Sequence, residues 1–451
     1  MGKLMKDNYG IFPNSKLKAL IVPLFLEQLL VMLVGLADTF IITYAGEAAV
    51  SGVSLVNQFS TIFIYVFTAL ASGGAVVISQ YIGSRNNDGA GESSSQLLMI
   101  STLISVAVTV IVYIFDRSLM NLMFGSVDAD VMESCLTYLR ITAISYPFIA
   151  IYNSGAALYR SIGKTRVTMV VSIISNVINL VGNVVLVLVF KWGVAGVAWP
   201  TTISRLFSAA AITVMCFSSK IDVIYRIKDI FKWNGSLLGK VLRIAVPNGV
   251  ENGIFQLVKV ALSSIVALFG TYQIAANGVA QSIWSLAAVC GSAMAPTFIT
   301  VVGQCMGSGN KAAAEFYIKK LMVINLVAST VWNAAVLAIT PVILGFNNLS
   351  DETKHLILIL VIIHNIFNSV ALPFSGSLSS GLRAAGDVRF TMIVSIASTV
   401  GGRLVLSYVF AVLLNMGVIG IAFAMCADWC IRGIIFHFRY RSGKWQEFKV
   451  I

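Results

Sequence analysis

Apolar residues in this chain come in long runs, not in the short alternations of a water-soluble domain. Stretches of about 20 predominantly apolar residues, the length an α-helix needs to cross a bilayer, fall at 18–44, 52–82, 93–115, 131–159, 167–190, 193–217, 241–269, 275–306, 316–345, 355–382, 390–414 and 418–438. In lipid, every backbone N–H and C=O must be satisfied within the spanning segment, and a helix does this. The pattern predicts an all-α integral membrane protein with twelve transmembrane helices.

The pattern is also written twice. At a constant shift of 224, residues 23–86 overlay 247–310 without a gap: Pro23 falls on Pro247, Glu27 on Glu251, Gly46 on Gly270, and Gln80-Tyr81-Ile82-Gly83-Ser84-Arg85-Asn86 on Gln304-Cys305-Met306-Gly307-Ser308-Gly309-Asn310. At a shift of 223, Arg160 falls on Arg383, Gly163 on Gly386, Arg166 on Arg389, and Thr168 to Ile173 on Thr391 to Ile396. Six predicted spans lie in each half, and an even number means that both halves enter the membrane from the same side. Two pseudo-symmetric six-helix lobes are expected, 1–217 and 241–451, joined by a cytoplasmic amphipathic linker at 218–240. Internal repeats on this scale characterise transporters that move one half against the other. In the linker, Ile224, Ile227 and Phe231 face away from Lys220, Lys228 and Lys232 at helical spacing, as in a short helix lying on the inner leaflet.

Composition agrees with a membrane protein: 58% of residues are hydrophobic and 11% charged, against roughly 25% charged in soluble domains. Lys and Arg divide unequally between alternate loops, 22 on the side that holds both termini and three, Arg117, Lys191 and Lys354, on the other. Basic residues stay cytoplasmic, so both termini are expected in the cytoplasm, in a plasma-membrane protein. The same asymmetry accounts for the net charge of +12, and no nucleic-acid partner is expected. The six cysteines, 135, 216, 290, 305, 426 and 430, lack metal-ligand pairing and read as reduced, buried thiols. Gly307-Ser308-Gly309-Asn310 lacks the Gly-Lys-Ser/Thr of a phosphate loop and reads as a turn. The N-terminus reads as an uncleaved first span.

Ionisable side chains well inside the hydrocarbon are functional candidates, because each is costly to place there. They are Glu27, Asp38, Arg205, Glu251, Lys259, Arg403, Asp428 and Arg432, with His364. For Asp38, partners can be named. Asn176, Asn179 and Asn183 are spaced three and four apart, so they share one face of the fifth helix. At 1.5 Å per residue, Asp38 lies about 22 Å from Pro23, and Asn179 and Asn183 about 20 and 26 Å from Arg166, so the groups can share a level in the outer part of the bilayer. A carboxylate with amide oxygens suits a small cation or a proton. The second half carries Leu262, Gly402 and Leu406 at the positions of Asp38, Asn179 and Asn183. An ion or proton site belonging to the N-terminal half is expected, a helix-capping cluster being the alternative.

Glu27 and Glu251 occur in both copies, four residues after a proline. That symmetry favours a structural role, such as accepting backbone N–H groups where the prolines disturb the helix, with substrate or coupling roles as the alternative. Arg403 and Asp428 lie at depths where each can neutralise a neighbour. His364, with Asn365 and Asn368, is a further substrate or coupling candidate.

These residues resemble the multidrug and toxic compound extrusion (MATE) family. The resemblance rests on Pro23 with Ala37-Asp38-Thr39, on Gln80 to Gly83, on Arg160-x-x-Gly163-x-Thr165-Arg166, and on their second-half copies, and it covers nearly the whole chain. It implies a V-shaped, two-lobed antiporter driven by H⁺ or Na⁺ that expels amphipathic, often cationic compounds. The family's helix-1 carboxylate matches Asp38, and its helix-5 Asn and acid match Asn179 and Asn183, the acid being an asparagine here. A site lacking that charge is expected to hold Na⁺ more weakly. The helix-7 acid of some members sits a turn beyond Glu251.

The expected function is therefore a cation-coupled efflux antiporter working by alternating access in contact with membrane lipid. Pro147, Pro296 and Pro373 would permit helix bending; no catalytic residue, metal site or cofactor beyond the coupling ion is expected, and a monomer is. The alternatives are a lipid-linked oligosaccharide flippase of the same superfamily, which a cavity lined with Arg and Lys would favour, and a polytopic membrane enzyme, for which histidines 355, 364 and 437 are too dispersed. A channel fits two rocking halves less well.

The basic-residue asymmetry makes a topology prediction. Single cysteines introduced at 88, 235 and 310 are expected to label only from the cytoplasm, and those at 47, 128 and 348 only from outside. Labelling of 88 and 310 from opposite faces would break the parallel-repeat arrangement.

Overall fold

The computed structural model describes residues 9–125, 127–218, 221–345 and 349–451, and all regular secondary structure among them is helical. Lys3, Lys6, Lys220 and position 348 lie outside the described residues. A helix occupies each expected span. In chain order these are α1 (Asn14–Ile42), α2 (Glu47–Gly83), α3 (Asn87–Phe124), α4 (Ala129–Ala143, then Tyr146–Ser161), α5 (Thr165–Asn183, continued by a π-helical stretch Val184–Val189) and α6 (Ala195–Cys216). The second half follows with α7 (Gly235–Val266), α8 (Thr271–Ala287 and Val289–Gly307), α9 (Lys311–Gly345), α10 (Asp351–Leu372, π-helical Pro373–Ser377, Leu378–Ala384), α11 (Val388–Ala397, then largely π-helical to Leu413) and α12 (Gly417–Arg441). Ten helical runs are long and apolar enough to cross a membrane, and α4 adds an eleventh if its two pieces, bent by 44°, form one span. The remaining helix, α6, is less apolar because Thr201, Thr202, Ser204 and Arg205 crowd its middle. Pro147 opens the second piece of α4, Pro373 opens the π-helical turn of α10, and Pro296 lies inside the second piece of α8.

The repeated motifs are helix punctuation. At the end of α2, the Asn86 N–H donates to Tyr81 O at 3.0 Å with Arg85 left-handed at φ 60°; at the end of α8, the Asn310 N–H donates to Cys305 O at 3.1 Å with Gly309 at φ 73°. The same asparagines then cap the next helices, Asn86 Oδ1 accepting from the Gly89 N–H at 2.8 Å and Asn310 Oδ1 from the Ala313 N–H at 2.9 Å. Arg-x-x-Gly is a second stop of this kind, with Gly163 at φ 81° and Gly386 at φ 105°. A hairpin that ends one span and starts the next within a few residues needs such a stop.

Two compact units result. One comprises Val22–Gly249; the other combines the described residues up to Ile21 with Val250–Ile451. The divisions fall inside α1 and α7, beside the repeat-related Pro23 and Pro247. The units differ from the sequence-drawn lobes in the first segment of each half. Phe12 and Leu17 are buried with Phe298, Tyr317 and Trp445, and the Phe12 N–H donates to the Tyr317 hydroxyl at 2.9 Å. In the other unit, the start of α7 lies against α2, where a Cβ on Gly73 would stand 2.8 Å from Val241 O. The repeat follows ancestry, whereas packing follows which groove each helix start fills.

The linker is helical only at Ile227–Ile230. Before it, Ile221, Val223 and Tyr225 are buried alternately, as in an extended strand. After it, the Asn234 N–H donates to Gln96 Oε1 of α3 at 3.1 Å, and Gln96 Nε2 donates to Asp229 O at 2.5 Å. Ile227, Phe231 and Trp233 remain exposed.

Small residues let helix backbones meet, as packing among apolar helices requires. A Cβ on Gly420 of α12 would lie 2.6 Å from Phe410 C and 2.7 Å from Ala411 N, both main-chain atoms of α11. Gly420→Val is expected to destabilise the detergent-purified protein by roughly 1–3 kcal/mol or more, read as a lowered melting midpoint. Gly278→Ala, whose Cβ meets nothing within 4 Å, is expected to leave that midpoint unchanged or raised.

Candidate functional site

Three predicted residues meet. Asn183, the last residue of the α-helical part of α5, donates from Nδ2 to Asp38 Oδ1 of α1 at 2.7 Å. Asn179, one turn earlier, satisfies both ends of its amide when Nδ2 points at Asp38, 2.9 Å from Oδ2 and 3.1 Å from Oδ1, while its oxygen accepts from the Thr201 N–H at 3.3 Å and the Thr201 hydroxyl at 3.2 Å. Asn179 and Asn183 are buried, and Asp38 is half-buried. Asn183 Oδ1 is buried without a hydrogen-bond partner, an acceptor available to a cation or a proton donor. The π-helical stretch of α5 starts immediately after Asn183; such wide turns often accompany functional sites. Asn176 is not part of the group: its Nδ2 lies 3.5 Å from Ser172 Oγ on its own helix. Nearby, the Tyr138 hydroxyl donates to Asn57 Oδ1 at 3.3 Å, and Arg205 Nη1 donates to Ser145 Oγ at 2.8 Å. Leu262, at the position of Asp38 in the second half, packs against an apolar core.

Glu27 and Glu251 sit in matching ion pairs, not against the backbone N–H groups expected at their prolines. Glu27 is buried; its Oε1 accepts from Arg160 at 2.7 Å and its Oε2 from the Thr168 hydroxyl at 2.9 Å. Glu251 accepts from Arg383 Nη2 at 2.7 and 2.8 Å, and Arg383 Nε donates to Thr391 Oγ1 at 3.3 Å. Arg160 and Arg383, like Thr168 and Thr391, are repeat partners, so one Glu–Arg–Thr arrangement is built twice. Its role is to tie the first helix of each half to the start of the fifth. The Arg-x-x-Gly motif thus supplies a cation as well as a helix stop. The signal that could have revealed the pairing was the retention of both charges in both copies.

The C-terminal unit holds a cationic group. Arg403, in the π-helical part of α11, lies 3.1 Å from Asp428 Oδ2, and Arg432 lies 2.8 Å from the same oxygen. Ser398 Oγ donates to Asp428 Oδ1 at 2.6 Å. The Arg403 guanidinium stands 4.9 Å from the Phe255 ring centroid and the Lys259 ammonium 5.3 Å from it. Both cations line a cavity of roughly 250 Å³ with Trp284, Asn277, Gln281 and Ser263. His364 is buried with both ring nitrogens unpartnered, outside that lining. Asn368 donates to Asn333 Oδ1 at 2.8 Å, and Asn365 to Val361 O at 2.8 Å.

The family model MatE matches this chain twice, over residues 23–185 and 247–409, which are the two copies of the repeat. The chain is 28% identical over 437 residues to the uncharacterized transporter YisQ of Bacillus subtilis, covering 94% of this chain and 93% of that one. It is 23% identical over 442 residues to the probable multidrug resistance protein NorM of Thermotoga maritima, covering 97% and 94%. Among solved structures, an outward-facing multidrug resistance MATE family transporter of the MOP superfamily shares the fold, with a TM-score of 0.85 at 20% identity, over 97% of this chain and 96% of that one.

The twin ion pairs lead to a stability prediction. Removing one partner of a buried pair leaves the other charge uncompensated, at a cost of about 3 kcal/mol. Glu27→Gln is therefore expected to lower the melting midpoint of the purified protein markedly. Glu27→Gln with Arg160→Gln is expected to recover part of the loss in a double-mutant cycle, and strictly additive losses would show that the two charges do not interact.

Proposed function

The chain belongs to the MatE family, and on that premise we propose that it is a cation-coupled efflux antiporter that exports amphipathic, often cationic compounds by alternating access. The carrying observation is the Asp38 carboxylate held by the amides of Asn179 and Asn183. Both amides donate N–H groups to the carboxylate and so fasten α1 to α5. A proton on Asp38 removes an acceptor from that set; a Na⁺ would require an amide oxygen, such as Asn183 Oδ1, to turn towards it. Either event changes how α1 is held against α5, which links ion occupancy to helix packing. With no second carboxylate beside Asp38 among the described residues, the donor set favours a proton over Na⁺. The protein would work in the plasma membrane as a monomer with both termini cytoplasmic, as the 22-to-three distribution of basic residues supports. The exposed Ile227, Phe231 and Trp233 beside Lys228 and Lys232 suit an inner-leaflet anchor.

Proteoliposomes given a pH gradient and a Na⁺ gradient separately test this reading. Wild-type protein is expected to expel a fluorescent organic cation when the pH gradient is imposed. Asp38→Asn is expected to reduce that efflux at least about ten-fold while inserting normally, because an intramembrane charge costs about 2.5–3.5 kcal/mol on insertion scales. Normal pumping by Asp38→Asn would place the coupling elsewhere.

A further inference from the structure

We propose that the cavity of the C-terminal unit is a binding site for an organic anion: a flat apolar body carrying a carboxylate, sulfonate or phosphate group. The proposal extends the efflux reading by naming a second substrate class, and it rests on that reading only for the fate of the bound compound.

Charge balance is the first argument. Arg403 and Arg432 share a single carboxylate, Asp428, through its Oδ2, while its Oδ1 accepts from Ser398, and Lys259 adds a further cation on the cavity lining beside Arg403. Among the described residues no Asp or Glu lines the cavity, and the Lys259 ammonium stands over the Phe255 ring on the same lining as the like-charged Arg403. Cations left without counter-charge among apolar helices are expensive, and they persist where something else supplies the negative charge.

Hydrogen-bond polarity is the second argument, independent of the first. Arg403 is 3% exposed, and its Nε is buried without a partner; the Trp284 Nε1 is likewise buried and unpartnered. Both groups can only donate. What they lack is an acceptor, so a cation or a proton cannot satisfy them. Asn277 and Gln281 on the cavity lining carry side-chain amide N–H groups that can donate as well. The cavity also offers flat faces: Trp284 stacks on Trp429 with centroids 5.8 Å apart at 20°, and the Phe255 ring lies near both cations. An aromatic anion meets the requirements of this lining: its ring against Phe255 and Trp284, its charge towards the Lys259 ammonium and the Arg403 side chain.

The test measures equilibrium binding with no gradient, so it is blind to coupling and its outcome is separable from that of Asp38→Asn. The purified full chain, in nanodiscs of phosphatidylcholine, is titrated with 2-naphthoate and with 2-naphthylmethylammonium, a pair differing in charge. Naphthoate is expected to bind more tightly. Lys259→Gln is expected to weaken naphthoate about ten-fold, the worth of one charge-assisted hydrogen bond, and Lys259→Glu to reverse the preference. Lys259 is substantially exposed, so both variants are expected to melt like the wild type. Equal or tighter binding of the ammonium compound to wild-type protein, or an unchanged ratio in the Lys259 variants, would overturn the proposal. Nanodiscs containing phosphatidylglycerol then separate two sources of the anion, with an anion site upheld either way: weaker naphthoate binding marks a lipid headgroup, and unchanged binding a free organic anion.

Discussion

A charged side chain placed among membrane-spanning helices is costly unless a partner on another helix offsets its charge or a water-filled cavity solvates it. Glu27 with Arg160 and Glu251 with Arg383 meet that requirement in the same way in both halves. Each pair joins the first helix of its half to the turn that ends the fourth and starts the fifth, and each adds a threonine hydroxyl from the fifth helix, bonded to Glu27 in one copy and to Arg383 in the other. Because the charges are costly apart, the pairs fix how these helices meet before any functional group is positioned.

Upon this symmetric frame the two halves differ in electrostatic sign. The N-terminal half places a carboxylate, Asp38, among neutral amides, while the C-terminal half places more cations than carboxylates around a cavity. The apolar residues Leu262 and Leu406 occupy the second half where the first has Asp38 and Asn183. A duplicated scaffold therefore carries two chemically different environments, a carboxylate among amide donors in one half and a surplus of cations beside a cavity in the other. The π-helical turns of α5 and α11 accompany these environments, one starting just after Asn183 and the other containing Arg403. A wide turn frees main-chain groups and re-aims the side chains around it, a distortion that a purely structural helix has little reason to keep.

Much of this was legible from residue order alone. Hydrophobic run length set the spans, the gapless repeat set the two halves, and the helical rise placed Asp38 level with Asn179 and Asn183, because distance along a helix is a property of sequence spacing. MatE membership coincides with the repeat itself, residues 23–185 and 247–409. Asn176 shows where this reasoning stops. It shares the face of Asn179 and Asn183 but lies a turn too early along α5, and only the crossing point of α1 determines which asparagines reach the carboxylate.

The sequence by itself determined what most segments must be: long apolar runs must be helices in a bilayer, and Gly307-Ser308-Gly309-Asn310 must be a turn between two of them. Only tertiary structure decided which charge meets which. Glu27 and Arg160 are 133 residues apart, and Arg403 and Asp428 lie on different helices, so no local periodicity connects them. Nor does periodicity tell that the start of α1 packs with the second half, or that Trp284, Lys259 and Arg403 come together on the lining of one cavity. The physical reason is common to all of these. Local sequence sets rise, rotation and apolarity along one helix, whereas pairing and burial depend on where a second helix crosses it, and that is settled by packing over the whole chain.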